Sequence, residues 1–141
     1  MKSFLIKNIN KKEWFYVNAK KKILGRLAST VSKYLMGKHK SNYSNNINNG
    51  DYIIIFNAEK ISVTGKKMKN KIYYRHTGYV GGLKKISLKE MILKNPEKVI
   101  INAIRGMLPK NSLRKLIMKK LKVYSGETLR HISQKPKLLK I

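Results

Sequence analysis

The sequence predicts a layered α/β domain on a mainly parallel sheet, and three observations carry that expectation. EWFYVNA (residues 13–19) and GDYIIIFNA (residues 50–58) each hold a short apolar run without clean polar alternation, as strands covered on both faces do. Between them Leu24, Leu27, Ala28, Val31 and Leu35 recur at helical spacing. Further strand-like and helical segments then follow this strand–helix–strand unit, the order of an α/β fold.

Taken along the chain, the first helix is expected to end at Gly37. Residues 39–51 are polar and rich in Asn, which predicts a long surface loop. Residues 61–74 divide into two strand-like pieces around a basic turn. Ser87-Leu-Lys-Glu90 matches a capping box: the Ser87 hydroxyl accepts from the Glu90 amide while the carboxylate reaches back. The helix it starts carries Leu88, Met91 and Ile92. Pro96 opens another helix at the position where a missing amide costs least. Its core stripe is Val99, Ile100, Ala103, Ile104 and Met107, and Pro109 stops it. A shorter amphipathic segment around Leu113, Leu116 and Ile117 precedes a strand-like LKVYSG, and ISQKPKLLKI reads as a polar, basic tail.

The 141 residues suit one domain, 1–141, with a modest core. Their 33 Lys and Arg against 6 Asp and Glu leave a net charge of +27. Such a chain repels itself unless a polyanion neutralises it. No apolar run approaches the roughly 20 residues of a membrane span, which favours nucleic acid over a membrane as partner. Phe4-Leu5-Ile6 falls short of the roughly 7–15 residues of a signal-peptide core, so the chain is expected to stay unsecreted. With no cysteine there is no disulfide, thiol nucleophile or thiolate metal site. Lys, Asn and Ile are heavily used, as an A/T-rich genome would favour, so single lysines carry little weight. The five arginines (Arg26, Arg75, Arg105, Arg114 and Arg130) carry more, because only guanidinium offers a planar fork.

Catalytic chemistry finds little support. Gly78, Gly81 and Gly82 lie in KIYYRHTGYVGGLKKIS, residues 71–87, but match neither the Walker nor the dinucleotide glycine spacing. What they offer is a loop without bulky side chains whose amides approach phosphate closely, flanked by cations. The six carboxylates are scattered, and His39, His76 and His131 are far apart, so neither an acid–base pair nor a metal site is suggested. Each histidine stands beside Lys or Arg and is expected to face solvent or phosphate. No enzyme activity, cofactor or small-molecule substrate is expected.

Three basic clusters remain. GKHK supplies Lys38, His39 and Lys40; RHTGYVGGLKK supplies Arg75, His76, Thr77, Gly78, Gly81, Gly82 and Lys84; residues 108–124 supply Lys110, Arg114, Lys115, Lys119, Lys120 and Lys122. With Arg26 these are the candidate RNA-binding residues, their cations neutralising phosphates and releasing counterions. In the third cluster Leu113, Leu116, Ile117 and Leu121 are expected to anchor to the core, and Lys115, Lys119 and Lys122 share a side if the helix runs that far. Tyr73, Tyr74 and Tyr79 are expected to pack in the core rather than stack on bases.

WFYVNA, LGRLAS, GKHK, GDYIIIFNA with VTGKK, HTGYVGG, GMLPK and LKVYSG occur in that order and nearly span the chain. Together they resemble the large-subunit ribosomal protein L13 family (universal uL13). The resemblance implies a three-layer α/β/α fold with a small, mostly parallel sheet and basic loops. It implies a non-enzymatic role in the large ribosomal subunit, bacterial or organellar, with large-subunit ribosomal RNA and neighbouring ribosomal proteins as partners. Asn45 stands where the family often has proline, which implies a looser loop, and Arg114-Lys115 where Gly-Arg is common, which implies a weaker forked phosphate contact at Lys115 unless Arg114 replaces it. Lys137 and Lys140 make the tail more basic than the family pattern. The rivals are a free RNA-compacting or regulatory protein, suggested by charge alone, and a nucleotide-dependent enzyme, which has no motif.

Overall fold

A computed structural model describes residues 11–140, so Phe4-Leu5-Ile6 lies outside the described residues. The chain runs β1 (Trp14–Asn18), α1 (Leu24–Met36), β2 (Tyr52–Phe56), α2 (Lys67–Asn70), β3 (Ile72–His76), β4 (Leu83–Ser87), α3 (Leu88–Lys94), α4 (Pro96–Met107), α5 (Leu113–Met118), β5 (Leu121–Val123) and β6 (Lys137–Leu138), with 3₁₀ turns at Ala58–Lys60 and Ile132–Gln134. Four strands form a parallel sheet in the order β5-β2-β1-β6. β3 and β4 form a separate antiparallel pair.

Alternation along the strands explains the packing. Val17, Ile53, Ile55, Leu121 and Val123 join Leu27, Val31 and Leu35 of α1 and Val99, Ile100 and Ile104 of α4 in one core. The opposite face pairs Trp14 with Tyr52, stacked at 4.4 Å, and Tyr16 with Phe56. The connection from β5 to β6 covers that side, its His131 ring stacking on Trp14 at 5.5 Å. This arrangement accords with a three-layer α/β/α fold whose thinner layer holds a 3₁₀ turn instead of an α-helix. Among the described residues no helix is long and apolar enough to cross a membrane.

Helix ends follow the expected chemistry. Gly37 adopts φ +82° and closes α1, while Pro96 occupies the first turn of α4. The Ser87 hydroxyl accepts from the Glu90 amide at 3.4 Å, one half of the capping box. Other expectations need correction. The piece after Ile61 makes a single bridge, Ile23 to Ser62, and the basic turn is the one-turn helix α2. Met107 is exposed and Leu108, past the helix end, takes its place in the core. Leu116 is likewise exposed, whereas Ile117 is buried. The tail is not a solvated end: Lys137–Leu138 pairs with Phe15–Tyr16 and buries Leu139. A two-residue strand carries too little periodicity to be read without its partner.

Candidate nucleic-acid interface

The stretch 71–87 forms a hairpin projecting from the body. Register places Tyr73 opposite Ile86 and Arg75 opposite Lys84, and, on the other face, Ile72 opposite Ser87, Tyr74 opposite Lys85 and His76 opposite Leu83. Tyr73 packs against the core, where burial raises its phenol above its ordinary pKa, and Ile86 opposite it is half-buried. Tyr74 and Tyr79 are exposed, Tyr79 by 80 %, which corrects the core reading for these two rings. Ile72, Val80 and Leu83 are exposed beside them, together with Lys84 and Lys85. An aromatic, apolar and cationic surface of this kind suits stacking on bases and contact with phosphates.

The hairpin tip limits what its glycines do. Thr77 donates its amide to the Gly82 carbonyl at 3.0 Å, and Gly82 donates to Tyr79 at 2.9 Å. Gly78 donates to Nδ1 of His76 at 2.9 Å. Two of the three glycine amides are therefore committed inside the turn, which leaves that of Gly81. A Cβ on Gly82 would lie 1.9 Å from Oγ1 of Thr77 and 2.8 Å from the Tyr79 carbonyl. That position needs glycine for the turn itself.

The second cluster turns partly inward. Asp51, 1 % exposed, accepts the Glu13 amide at 3.0 Å on Oδ1, where Lys40 pairs at 2.8 Å, and meets Nε2 of His39 at 2.8 Å on Oδ2. Burial pushes the Asp51 carboxyl up, but Lys40, the Glu13 amide and His39 outweigh it and hold it below its ordinary value. His39 also stacks on Tyr34 at 4.3 Å. Asn49 and Gly50 are buried too. The expected surface loop is thus corrected only at its end, where Asp51 draws residues 49–51 inward against α1; His39 stays exposed as a residue, with its ring held by Asp51 and Tyr34. His131, hydrogen-bonded with Tyr124, departs from the expectation of a histidine facing solvent or phosphate. Lys38 stays exposed, as does Arg26 in the first turn of α1.

In the third cluster α5 ends at Met118, so Lys122 lies on β5, not on a helical face with Lys115 and Lys119. Lys120 is corrected outright: it is 3 % exposed, and its Nζ donates to the Leu35 carbonyl at 3.1 Å. Burial, aided by the charges of Lys12 and Lys40 and opposed by Asp51, lowers its pKa to about 8. Lys110, Lys115 and Lys119 are exposed and Arg114 is half-buried. Arg114, Lys115 and Lys119 meet Arg105 of α4 around a groove of about 580 Å³. In the sequence Arg105 stands out only as one of five arginines; the fold alone brings it to this cluster. Among the described residues none of these four cations pairs with a carboxylate, in contrast to Lys40, Lys60 and Lys137. Nor, among those residues, do three His, Asp or Glu side chains gather as metal ligands would.

Comparison with known proteins adds an independent line. The profile of the family described as Ribosomal protein L13 matches residues 12–130. The large ribosomal subunit protein uL13 of Buchnera aphidicola subsp. Acyrthosiphon pisum (strain APS) is 56% identical over 142 residues, covering 100% of each chain. The protein of the same name from Hamiltonella defensa subsp. Acyrthosiphon pisum (strain 5AT) is 54% identical, again over 100% of each chain. That from Desulfotalea psychrophila is 51% identical at the same coverage.

Proposed function

The chain belongs to the ribosomal protein L13 family, and on that premise we propose that it is a structural, non-enzymatic constituent of the large ribosomal subunit that binds large-subunit rRNA and supports its assembly. It acts as one domain in a bacterial-type cytoplasmic ribosome. The observation that carries this reading is the distribution of charge. Arg75 and Lys84 on the hairpin, and Arg105, Arg114, Lys115 and Lys119 around the α4–α5 groove, have no carboxylate partner among the described residues. Uncompensated cations held on rigid elements favour a polyanion that meets several faces at once.

A scaffold of this kind restricts the relative geometry of the RNA segments it touches. The RNA-facing residues are Arg26, Lys38, Arg75, His76, Thr77, Gly81, Lys84, Lys110, Arg114, Lys115, Lys119 and Lys122, with His39 and Lys40 reached only at their partly exposed edges. Exposed Leu83 and Val80 give neighbouring ribosomal proteins an apolar contact. Sucrose-gradient sedimentation of tagged protein after a high-salt wash tests the assignment. Retention with large subunits is expected; release to the top of the gradient overturns it in favour of a free RNA-binding protein.

A further inference from the structure

We propose that the groove between α4 and α5 receives one unstacked base of a single-stranded rRNA segment, with the flanking phosphates on Arg105, Arg114 and Lys115. This deepens the rRNA-binding reading and rests on it. At about 580 Å³ the groove falls within the ordinary range of ligand clefts, roughly 300–1,000 Å³. Its floor is apolar, made by Ile101, Met118 and Leu121. Its rim, among the described residues, carries four cations and no carboxylate.

Phosphate neutralisation alone needs no apolar floor, whereas a base gains from burying its π-face against apolar and guanidinium surface. The rim also holds donors suited to a base edge. Asn111 spends Oδ1 on the Leu113 amide at 3.1 Å, and no acceptor within the described residues takes its Nδ2 hydrogens. Ser112 precedes α5 without a side-chain capping bond, so its hydroxyl is not held there. A duplex cannot present an isolated base to such a cleft; a loop or bulge can. An acidic peptide would satisfy the rim, but not the combination of apolar floor and edge donors.

The test uses the full chain, a short single-stranded oligoribonucleotide, an RNA hairpin with the same number of phosphates, and a poly-glutamate peptide as competitor. Wild type is expected to prefer the single strand. Met118→Trp, which fills the floor, is expected to weaken single-strand binding at least about fivefold with little change in its salt slope. Arg105→Gln is expected to lower both affinity and slope, the slope by about 0.7 for each single-strand phosphate it no longer neutralises. Crosslinking of wild type to 4-thiouridine RNA keeps the test independent of the folding of Met118→Trp, and is expected to mark residues of α4 and α5 facing the groove.

Crosslinks confined to other surfaces overturn the proposal. So does a folded Met118→Trp protein with unchanged single-strand preference, or competition by the peptide that the floor substitution abolishes while RNA binding persists. If wild type binds neither RNA nor the large subunit, the rRNA reading itself fails. If it binds both but the groove is indifferent, only this inference does.

Discussion

Nζ of Lys120 donates to the carbonyl of Leu35 at 3.1 Å inside the protein, joining the start of β5 to the last turn of α1. Three of the four carbonyls at the helix end thereby have a partner: that of Lys33 accepts from Lys38, that of Tyr34 from Gly37 and Asp51, and that of Leu35 from Lys120. Gly50 makes the approach possible, since a Cβ there would lie 1.7 Å from the Leu35 oxygen and 2.9 Å from Nζ of Lys120.

The buried ammonium gives stability a distinct dependence on alkaline pH. Its folded pKa of about 8 lies below the unfolded 10.5, so between these values the unfolded chain holds a proton that the folded one has released. Stability therefore rises with pH through that window, by on the order of 3 kcal/mol for this group. Relative to Lys120→Met, the wild-type unfolding free energy is expected to climb from pH 8 to 10.5. Parallel curves for the two proteins in denaturant titrations would refute the assignment.

Asp51→Asn is expected to destabilise the fold by about 3–5 kcal/mol near neutral pH, because it strands the partly buried Lys40 ammonium. The Asp51 pKa is lowered from 3.8, so its contribution is full above that value and lost as pH falls through the folded pKa. Thermal unfolding of both proteins across the acid range measures this. The gap between them should close only below pH 3.8.

Gly82→Val is expected to open the hairpin turn, because its side chain would collide with Thr77 and the Tyr79 carbonyl. Gly81→Ala meets open space at φ +72° and costs only backbone strain, on the order of 1 kcal/mol. Amide exchange should show β3–β4 protection lost in the first and largely kept in the second. Equal loss in both would mean that backbone strain, not the collision, decides the turn.

Arg75 and Lys84 face each other across the hairpin, a like-charge pair that costs the free protein a few tenths of a kcal/mol. Replacing both with Gln is expected to leave the melting temperature level or slightly higher while weakening rRNA binding. The salt slope should fall by roughly 0.9 for each duplex-like phosphate that the variant leaves unneutralised. For wild type, with about six to ten phosphates neutralised, raising salt from about 50 to 200 mM should cost on the order of 10³–10⁵ in affinity. Filter binding over a salt series decides the matter, and an unchanged slope in the double variant would remove the hairpin from the interface.

Leu139→Ala is expected to cost about 2–5 kcal/mol, as for a buried leucine in the middle of a domain, although it lies in the tail. A change within a few tenths of wild type in chemical denaturation would show that β6 contributes no packing.

Local chemistry was enough to determine α1 and its Gly37 stop, the Pro96 start of α4 and the two central strands, because each depends on periodicity or on a residue with one conformational use. The cationic character of the partner surface was equally legible, since +27 cannot be hidden by folding. Which cations face outward was not. Lys119 and Lys120 are adjacent and chemically identical, yet one is exposed and the other donates to a carbonyl 85 positions earlier. Arg105 and Arg114 line one groove only because the fold brings α4, α5 and β5 around it, and Lys137–Leu138 becomes a strand only because β1 leaves an edge for it. Side-chain chemistry is set by sequence, but burial, partnership and facing are set by contacts between segments far apart in the chain, and only the tertiary structure supplies those.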